Sequence, residues 1–130
     1  MSLWQQHFYS MKSSDNAETK IIFVDNHLLV LNKPAGMLTQ PNETGSPSIE
    51  SFGKEWIKRE YHKPGAVFLE AVHRLDRPVS GIVLLARTSK ALSRLNSAQR
   101  QSLFQKEYTA LVEGALHKDE AILEHYLIKE

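Results

Sequence analysis

The chain lacks cysteine altogether: none of its 130 residues is one. Disulfide bonds and thiolate chemistry are therefore excluded. It also lacks any apolar run as long as a membrane-spanning helix, and its N-terminus has no apolar core of the kind found in signal peptides. We accordingly expect a cytoplasmic protein without a membrane partner.

Paired metal ligands and repeated segments are missing as well. The six histidines show no ligand-like spacing, so we predict no metal site. There are no internal repeats and no low-complexity segments. What remains is a composition typical of globular proteins, with 42% apolar and 24% charged residues. The length suits one domain with a core, and is too short for two ordinary domains.

The formal net charge of +1 conceals an uneven distribution. Residues 54–106 contain 11 basic and four acidic side chains, a local balance of +7. The rest of the chain contains five basic and 11 acidic side chains, a balance of −6. A basic middle suits a polyanionic partner such as RNA. Solvated helix surfaces also carry Lys and Arg, so charge by itself does not decide the matter.

The most informative stretch is residues 73–88, which places Asp76 between Arg74 and Arg77. A turn bracketed by a proline and a glycine follows. The apolar run 82–86 comes next and predicts a strand buried on both faces. Asp76 is therefore expected on a constrained loop at the edge of a sheet, where rigid scaffolds often present functional groups.

This stretch also has features of a surface ion-pair cluster and of a kinase catalytic loop. Arg74, Asp76 and Arg77 also fit a surface ion-pair cluster beside a turn, which would do little. The residues alone do not decide between this and a functional loop. A protein-kinase catalytic loop is excluded, because Leu75 separates the arginine from the aspartate and the asparagine that kinases need does not follow.

Three segments resemble the motifs of the RluA-type RNA pseudouridine synthases. Residues 73–76 match the family's His-Arg-Leu-Asp run before a Ser-Gly turn and an apolar strand. Residues 32–37 resemble its Lys-Pro-x-Gly loop, and residues 106–114 its Lys-x-Tyr-x-Ala-x-Val-x-Gly strand. Order and spacing agree over roughly residues 20–115. Two positions depart from the family pattern: Pro78 replaces the commoner acid, and Val79 stands where threonine is usual.

The resemblance implies an isomerase that converts uridine to pseudouridine in structured ribosomal or transfer RNA, with no cofactor. It implies that Asp76 is the catalytic carboxylate and that Arg74 fills the space left by a flipped uridine. Tyr108 would pack on the uracil, although an ordinary core role for this aromatic stays open. Arg77 and Lys106 would contact phosphates. The alternative is a catalytically silent RNA-binding module on the same scaffold.

The predicted fold is α+β, a mixed, largely antiparallel sheet with flanking helices, as in the pseudouridine synthase catalytic domain. The predicted helices begin at Ser48 and at Thr88 or Ser89, and Pro64 with Gly65 ends the first. The predicted strands are a hairpin of 20–25 and 27–32, then 67–72, 82–86, 106–113 and 121–128.

Catalytic domains of the family continue well beyond the length of this chain. We therefore predict that residues 1–19 form an N-terminal arm and that residues 20–130 form the N-terminal part of an incomplete catalytic domain. Such a fragment would leave part of its sheet uncovered. Uncovered edges and apolar faces recruit other chains, so self-association and no isomerisation by the chain alone are expected.

Overall fold

A computed structural model describes residues 19–129, so the predicted arm lies outside the described residues except for Thr19. Within these residues, one antiparallel sheet and two helices make up the fold, which confirms the α+β prediction. The strands stand in the order β1-β2-β4-β3. No helix in the described part could cross a membrane. The elements are β1 (Lys20–Val24), β2 (Leu28–Lys33), α1 (Ile49–Glu60), β3 (Glu70–Ala71), β4 (Gly81–Ala86) and α2 (Ser89–Arg100).

The predicted hairpin is confirmed, and its turn is held by Asp25. The Asp25 carboxylate accepts hydrogen bonds from the backbone N–H groups of His27 and Leu28, both at 2.7 Å. These two donors favour the ionised form and lower the pKa of Asp25 below its ordinary value of 3.8. The turn sets the register in which β1 pairs with β2.

The main core lies between α1 and one face of the sheet. Leu29 and Leu31 of β2 and Val83 and Leu85 of β4 are fully buried and alternate with residues on the other face. Ser48 caps α1 as predicted, since its hydroxyl accepts a 3.1 Å hydrogen bond from the Ser51 N–H. The apolar side of α1 then covers the leucines.

The predicted end of α1 at Pro64 and Gly65 is wrong, because the helix ends earlier, at Glu60. His62 adopts a left-handed conformation, with φ of 49°. Its N–H and that of Lys63 donate to the last helical carbonyls, at 3.4 and 3.0 Å. This Schellman arrangement closes the helix before the proline is reached.

The second helix covers only part of the opposite sheet face. Thr88 caps α2, and Ala91 packs against Ala86 in a smaller apolar cluster. The prediction that β4 is buried on both faces is wrong at its start, where Ile82 is 60% exposed. The physical reason is position, because α2 reaches the sheet at the Ala86 end and leaves the Ile82 end open.

The predicted strand at 67–72 is much shorter, and only Glu70 and Ala71 pair with β4. Val72 adds one more backbone bond to Leu84, at 2.9 Å. The pairing then stops, since the Leu84 N–H donates to the side chain of His73 at 3.1 Å instead of to a backbone carbonyl. The His73 side chain thus accepts the hydrogen bond that a strand carbonyl would otherwise accept.

The predicted strands at 106–113 and 121–128 are wrong for this structure. Within the described residues, those after Leu103 form neither helix nor strand, and nearly all are exposed. Their apolar alternation fits a pleated strand, but a strand requires a neighbouring backbone to bond. Neither edge of the four-stranded sheet pairs with them in the described part of the chain.

Gly53 marks the point where α1 comes closest to the sheet. A β-carbon at this position would lie 2.6 Å from Leu69 Cδ2 and 3.1 Å from Leu29 Cδ2. Both leucines are fully buried, so their side chains have little room to move. Close packing therefore explains a glycine that a helix interior otherwise disfavours.

We expect Gly53→Ala to lower the free energy of unfolding by up to about 2 kcal/mol. Overpacking costs about 1–3 kcal/mol, whereas the gain in helix propensity returns only about 1 kcal/mol. Urea denaturation of the two proteins measures the difference. Ser93→Ala, at an exposed position of α2, is the control and should change stability by less than about 0.5 kcal/mol. A more stable Gly53→Ala protein would show that the helix does not approach so closely.

Candidate active site

Asp76 lies on the connection between β3 and β4, here called the Asp76 loop (residues 73–80). Its side chain is exposed, and its carbonyl accepts a 3.0 Å hydrogen bond from the Val79 N–H, which closes a turn. This agrees with the predicted position at the edge of the sheet. The loop is held to the body at three places, on both sides of the carboxylate.

The first attachment is His73. Its Nε2 accepts the 3.1 Å hydrogen bond from the Leu84 N–H, so that nitrogen carries no proton and the neutral ring is protonated on Nδ1. Burial lowers the pKa of His73 below 6.5, and the charge of Lys106 lowers it further. His73 is thus a hydrogen-bonding residue that joins the start of the loop to β4.

The second attachment is Thr39, a buried residue far from the loop in sequence. Its hydroxyl donates to the Leu75 carbonyl at 2.7 Å and accepts from the Leu75 N–H at 3.0 Å. The Thr39 carbonyl in turn accepts a 3.2 Å hydrogen bond from the Glu50 N–H, in the first turn of α1. The residue before Asp76 is thereby fixed to the start of a helix.

The third attachment is Lys33, whose side chain is completely buried. The Lys33 ammonium donates to three carbonyls, those of Met37 at 2.7 Å, Pro34 at 3.2 Å and Arg77 at 3.3 Å. Two of these belong to the Lys33 loop (residues 33–37) and one to the Asp76 loop. A single cation therefore joins the two loops.

Gly36 and Arg77 add a reciprocal pair of bonds across the same junction. The Gly36 N–H donates to the Arg77 carbonyl at 2.7 Å, and Arg77 Nε donates to the Gly36 carbonyl at 2.9 Å. Gly36 has a φ of 85°, in the left-handed region that favours glycine. The residue after Asp76 is thus held as firmly as the residue before it.

The charge that interacts with Asp76 comes from Lys33. Burial lowers the pKa of Lys33 below 10.5, and the Asp76 carboxylate opposes this by raising it. Within residues 19–129 the ion pair between Lys54 and Glu50 is the only one, so Arg74 and Arg77 do not pair with Asp76. The surface ion-pair cluster considered from the sequence does not form in the described chain.

The remaining predicted site residues, like Asp76, are exposed. Arg74 is exposed, and Tyr108 is 69% exposed in a segment without secondary structure. Lys106 lies close enough to His73 to affect its pKa. Within the described chain, no three acidic or histidine side chains cluster in a way that could hold a metal ion.

Sequence reasoning missed the site roles of Lys33 and Thr39. The Lys-Pro-x-Gly pattern marked Lys33 as part of a motif, and a completely buried lysine is rare enough to indicate a specific purpose. Nothing in the sequence singled out Thr39, because its two bonds reach a residue 36 positions away. Only the folded chain brings it to Leu75.

The fold, the three motifs and the anchored aspartate define a class of RNA-modifying enzyme domain. Residues 27–130 match the family model for RNA pseudouridylate synthase. The chain belongs to this family.

Particular relatives give the same assignment. The chain is similar to the ribosomal large subunit pseudouridine synthase C of Pasteurella multocida, with 45% identity over 75% of this chain and 28% of that protein. It is also similar to the synthase C of Escherichia coli, with 44% identity over 72% of this chain and 28% of that protein. Among solved structures, human RNA pseudouridylate synthase domain containing 4 has the same fold, with a TM-score of 0.57 and 22% identity.

The match covers most of this chain but only part of each relative. The aligned region is 78% of this chain and 36% of the human structure. For the curated relatives it is 28–33% of their length. The chain thus spans about a third of the proteins that it resembles.

The half-buried His73, with its lowered pKa, makes the stability of the protein depend on pH. Because folding lowers its pKa, the unfolded chain takes up a proton below about pH 6.5 while the folded chain does not. The stability present above pH 6.5 is therefore lost as the pH falls, by at most about 1.4 kcal/mol per pH unit. Asp25 also has a lowered pKa, so its contribution to stability is lost as the pH falls to 3.8 and below.

His73→Gln removes this titration, so its unfolding free energy should change less between pH 7 and 5 than that of the wild type. Urea denaturation at several pH values measures this. His117→Gln, at an exposed position, is the matched control and should keep the wild-type slope. Parallel curves for the wild type and His73→Gln would contradict the role of His73.

Proposed function

We propose that the chain is part of an RNA pseudouridine synthase in which Asp76 is the catalytic carboxylate. The observation that carries this proposal is the anchoring of Asp76. Its side chain is exposed, whereas both neighbouring residues are bound to the body through Thr39, Gly36 and Lys33. Rigid presentation of one polar side chain is what a catalytic group requires and what a surface charge does not.

The reaction breaks the bond between uracil and ribose, turns the base and rejoins it through carbon. It needs a carboxylate that either attacks covalently or removes a ribose proton, and we leave both roles open. Both use the ionised carboxylate. The Lys33 ammonium interacts with that charge from inside the protein.

The RNA-binding residues follow from the family pattern. The target uridine must leave its stack, which costs a few kcal/mol, and Arg74 would fill the space. Tyr108 would stack on the uracil, a contact worth about 1–3 kcal/mol per base. Arg77 and Lys106 would contact phosphates. Tyr108 is 69% exposed in a segment without secondary structure, so that segment must be supported before the ring can hold a uracil.

We infer that the substrate is ribosomal RNA, because the similar bacterial proteins are named as large-subunit ribosomal synthases. Transfer RNA is the second candidate. The reaction would take place in the cytoplasm. The rival function is a silent RNA-binding module, and the anchoring of Asp76 favours the enzyme, since mere binding does not need a fixed carboxylate.

Asp76→Asn tests the proposal in a protein that carries this segment at the length of its relatives. Tritium release from labelled ribosomal RNA should fall by at least about a thousandfold, because the amide can neither attack nor accept the proton. RNA affinity should change less than about threefold, since an exposed carboxylate contributes little to binding a polyanion. Asp119→Asn, at an exposed position outside the motifs, is the control. Turnover retained in Asp76→Asn would favour the silent module.

We also propose that the 130-residue chain associates with itself and has no turnover of its own. Ile22, Phe23 and Ile82 are 51%, 48% and 60% exposed on the sheet. Further apolar side chains are exposed after Leu103, including Leu111 and Leu127. Apolar surface of this extent drives association in water.

Sedimentation velocity of the purified chain should show dimers or larger species that increase with protein concentration. Tritium release from uridine-labelled RNA should stay at background, since the segment that carries Tyr108 has no secondary structure to hold it at Asp76. Ile82→Lys should reduce association by placing a charge on the exposed face, whereas Ser93→Lys on α2 should not. A monomer with measurable turnover would overturn both expectations.

A further inference from the structure

A cleft beside the Asp76 loop has a composition suited to an anion. Its volume is about 430 Å³, within the range of sites for small ligands and nucleotides. One wall is Gly36, Met37 and Arg77, and the other is the 44–47 segment. Arg77 follows Asp76 in the Asp76 loop, so a neighbour of the candidate carboxylate lines the cleft. No acidic side chain of the described residues lines it.

Arg77 is pre-oriented on one side of this cleft. Its Nε is bound to the Gly36 carbonyl at 2.9 Å, which fixes the plane of the guanidinium group. Its two terminal nitrogens have no partner within residues 19–129, and no carboxylate there pairs with it. A fixed arginine with two free terminal nitrogens matches the oxygens of a phosphate, and the arginine side chain loses little freedom when a phosphate binds.

The facing wall offers hydroxyl groups in an ordered loop. Thr44 Oγ1 lies 2.5 Å from Asn42 Oδ1 and 2.8 Å from Ser46 Oγ. Gly45 has a φ of 68°, and its N–H donates to the Asn42 carbonyl at 3.3 Å. This loop is closed by its own hydrogen bonds, in which Thr44 donates its hydroxyl proton to Asn42 Oδ1 and Ser46 donates to Thr44 Oγ1. The Ser46 hydroxyl can turn from Thr44 to a bound anion.

From these observations we propose that the cleft between Arg77 and residues 44–47 binds a phosphodiester group of the RNA strand that flanks the target uridine. The ligand is a sugar–phosphate unit, held by the two terminal nitrogens of Arg77 and by the hydroxyl of Ser46. This assignment rests on the proposed function. It adds a binding site for the RNA strand beside the target uridine to the site at Asp76 where that uridine would react.

The test places a negative charge in the cleft. Ser46→Glu should weaken binding of a fluorescein-labelled oligouridylate to the 130-residue chain by about tenfold, because the new carboxylate repels the phosphate and competes for Arg77. Ser93→Glu, on the exposed side of α2, makes the same change of charge outside the cleft and should weaken binding less than about twofold. Fluorescence anisotropy measures both, and thermal unfolding confirms that each variant is folded.

A salt titration provides a second, independent reading. Arg77→Gln should reduce the slope of the logarithm of the binding constant against the logarithm of salt concentration by about 0.7, the value for one phosphate contact to a single strand. Arg94→Gln, on the exposed face of α2, should leave the slope unchanged.

The outcomes separate the two proposals. Equal effects of Ser46→Glu and Ser93→Glu, or equal slopes for the two arginine variants, would overturn the cleft site while RNA binding by the chain stands. If the wild-type chain does not bind the oligouridylate even at low salt, both the cleft site and the proposed RNA partner fail.

Discussion

The arrangement of the site depends on one buried ammonium group. Lys33 sits at the end of β2 with its side chain wholly removed from water, a position that costs several kcal/mol unless the charge is compensated. Three carbonyl oxygens and the Asp76 carboxylate supply the compensation. Because one of those carbonyls belongs to Arg77, the loop that carries Asp76 cannot move away without stranding the charge. The same interaction thus fixes the loop and places a cation close to Asp76.

The Asp76 loop is attached to the rest of the protein around Lys33 without use of the Asp76 side chain. Thr39 binds both polar backbone atoms of Leu75, and His73 takes the N–H that β3 would otherwise have used. β3 is short because the His73 side chain, and not a backbone carbonyl, accepts the hydrogen bond from Leu84. Asp76 itself accepts a turn hydrogen bond only through its carbonyl, which leaves the carboxylate oriented by its neighbours and open to solvent.

The molecule has two kinds of surface. The face under α1 is closed by leucines that pack tightly around Gly53, whereas the opposite face is covered at Ala86 and open at Ile82. Eight of the 11 basic side chains of residues 54–106 belong to α1, the Asp76 loop and α2, and none belongs to the hairpin. Apolar surface suits association with protein, and the basic Asp76 loop suits RNA.

Much of this protein followed from local sequence patterns. The hairpin turn at Asp25 and the caps at Ser48 and Thr88 depend on neighbouring residues, and all three were predicted. The aspartate loop before β4 was located for the same reason. By contrast, the segment 106–113 has the alternation of a strand and is not one here, because a strand depends on a partner that its own sequence cannot supply.

The contacts that build the site also span long distances, from Thr39 to Leu75 and from Lys33 to Arg77. No local pattern encodes them. The sequence by itself determined the two helices, the hairpin and β4, and it singled out the candidate carboxylate. Only the tertiary structure decided which cation interacts with that carboxylate, since the flanking arginines face solvent while a lysine more than 40 residues away is buried and bound to the same loop.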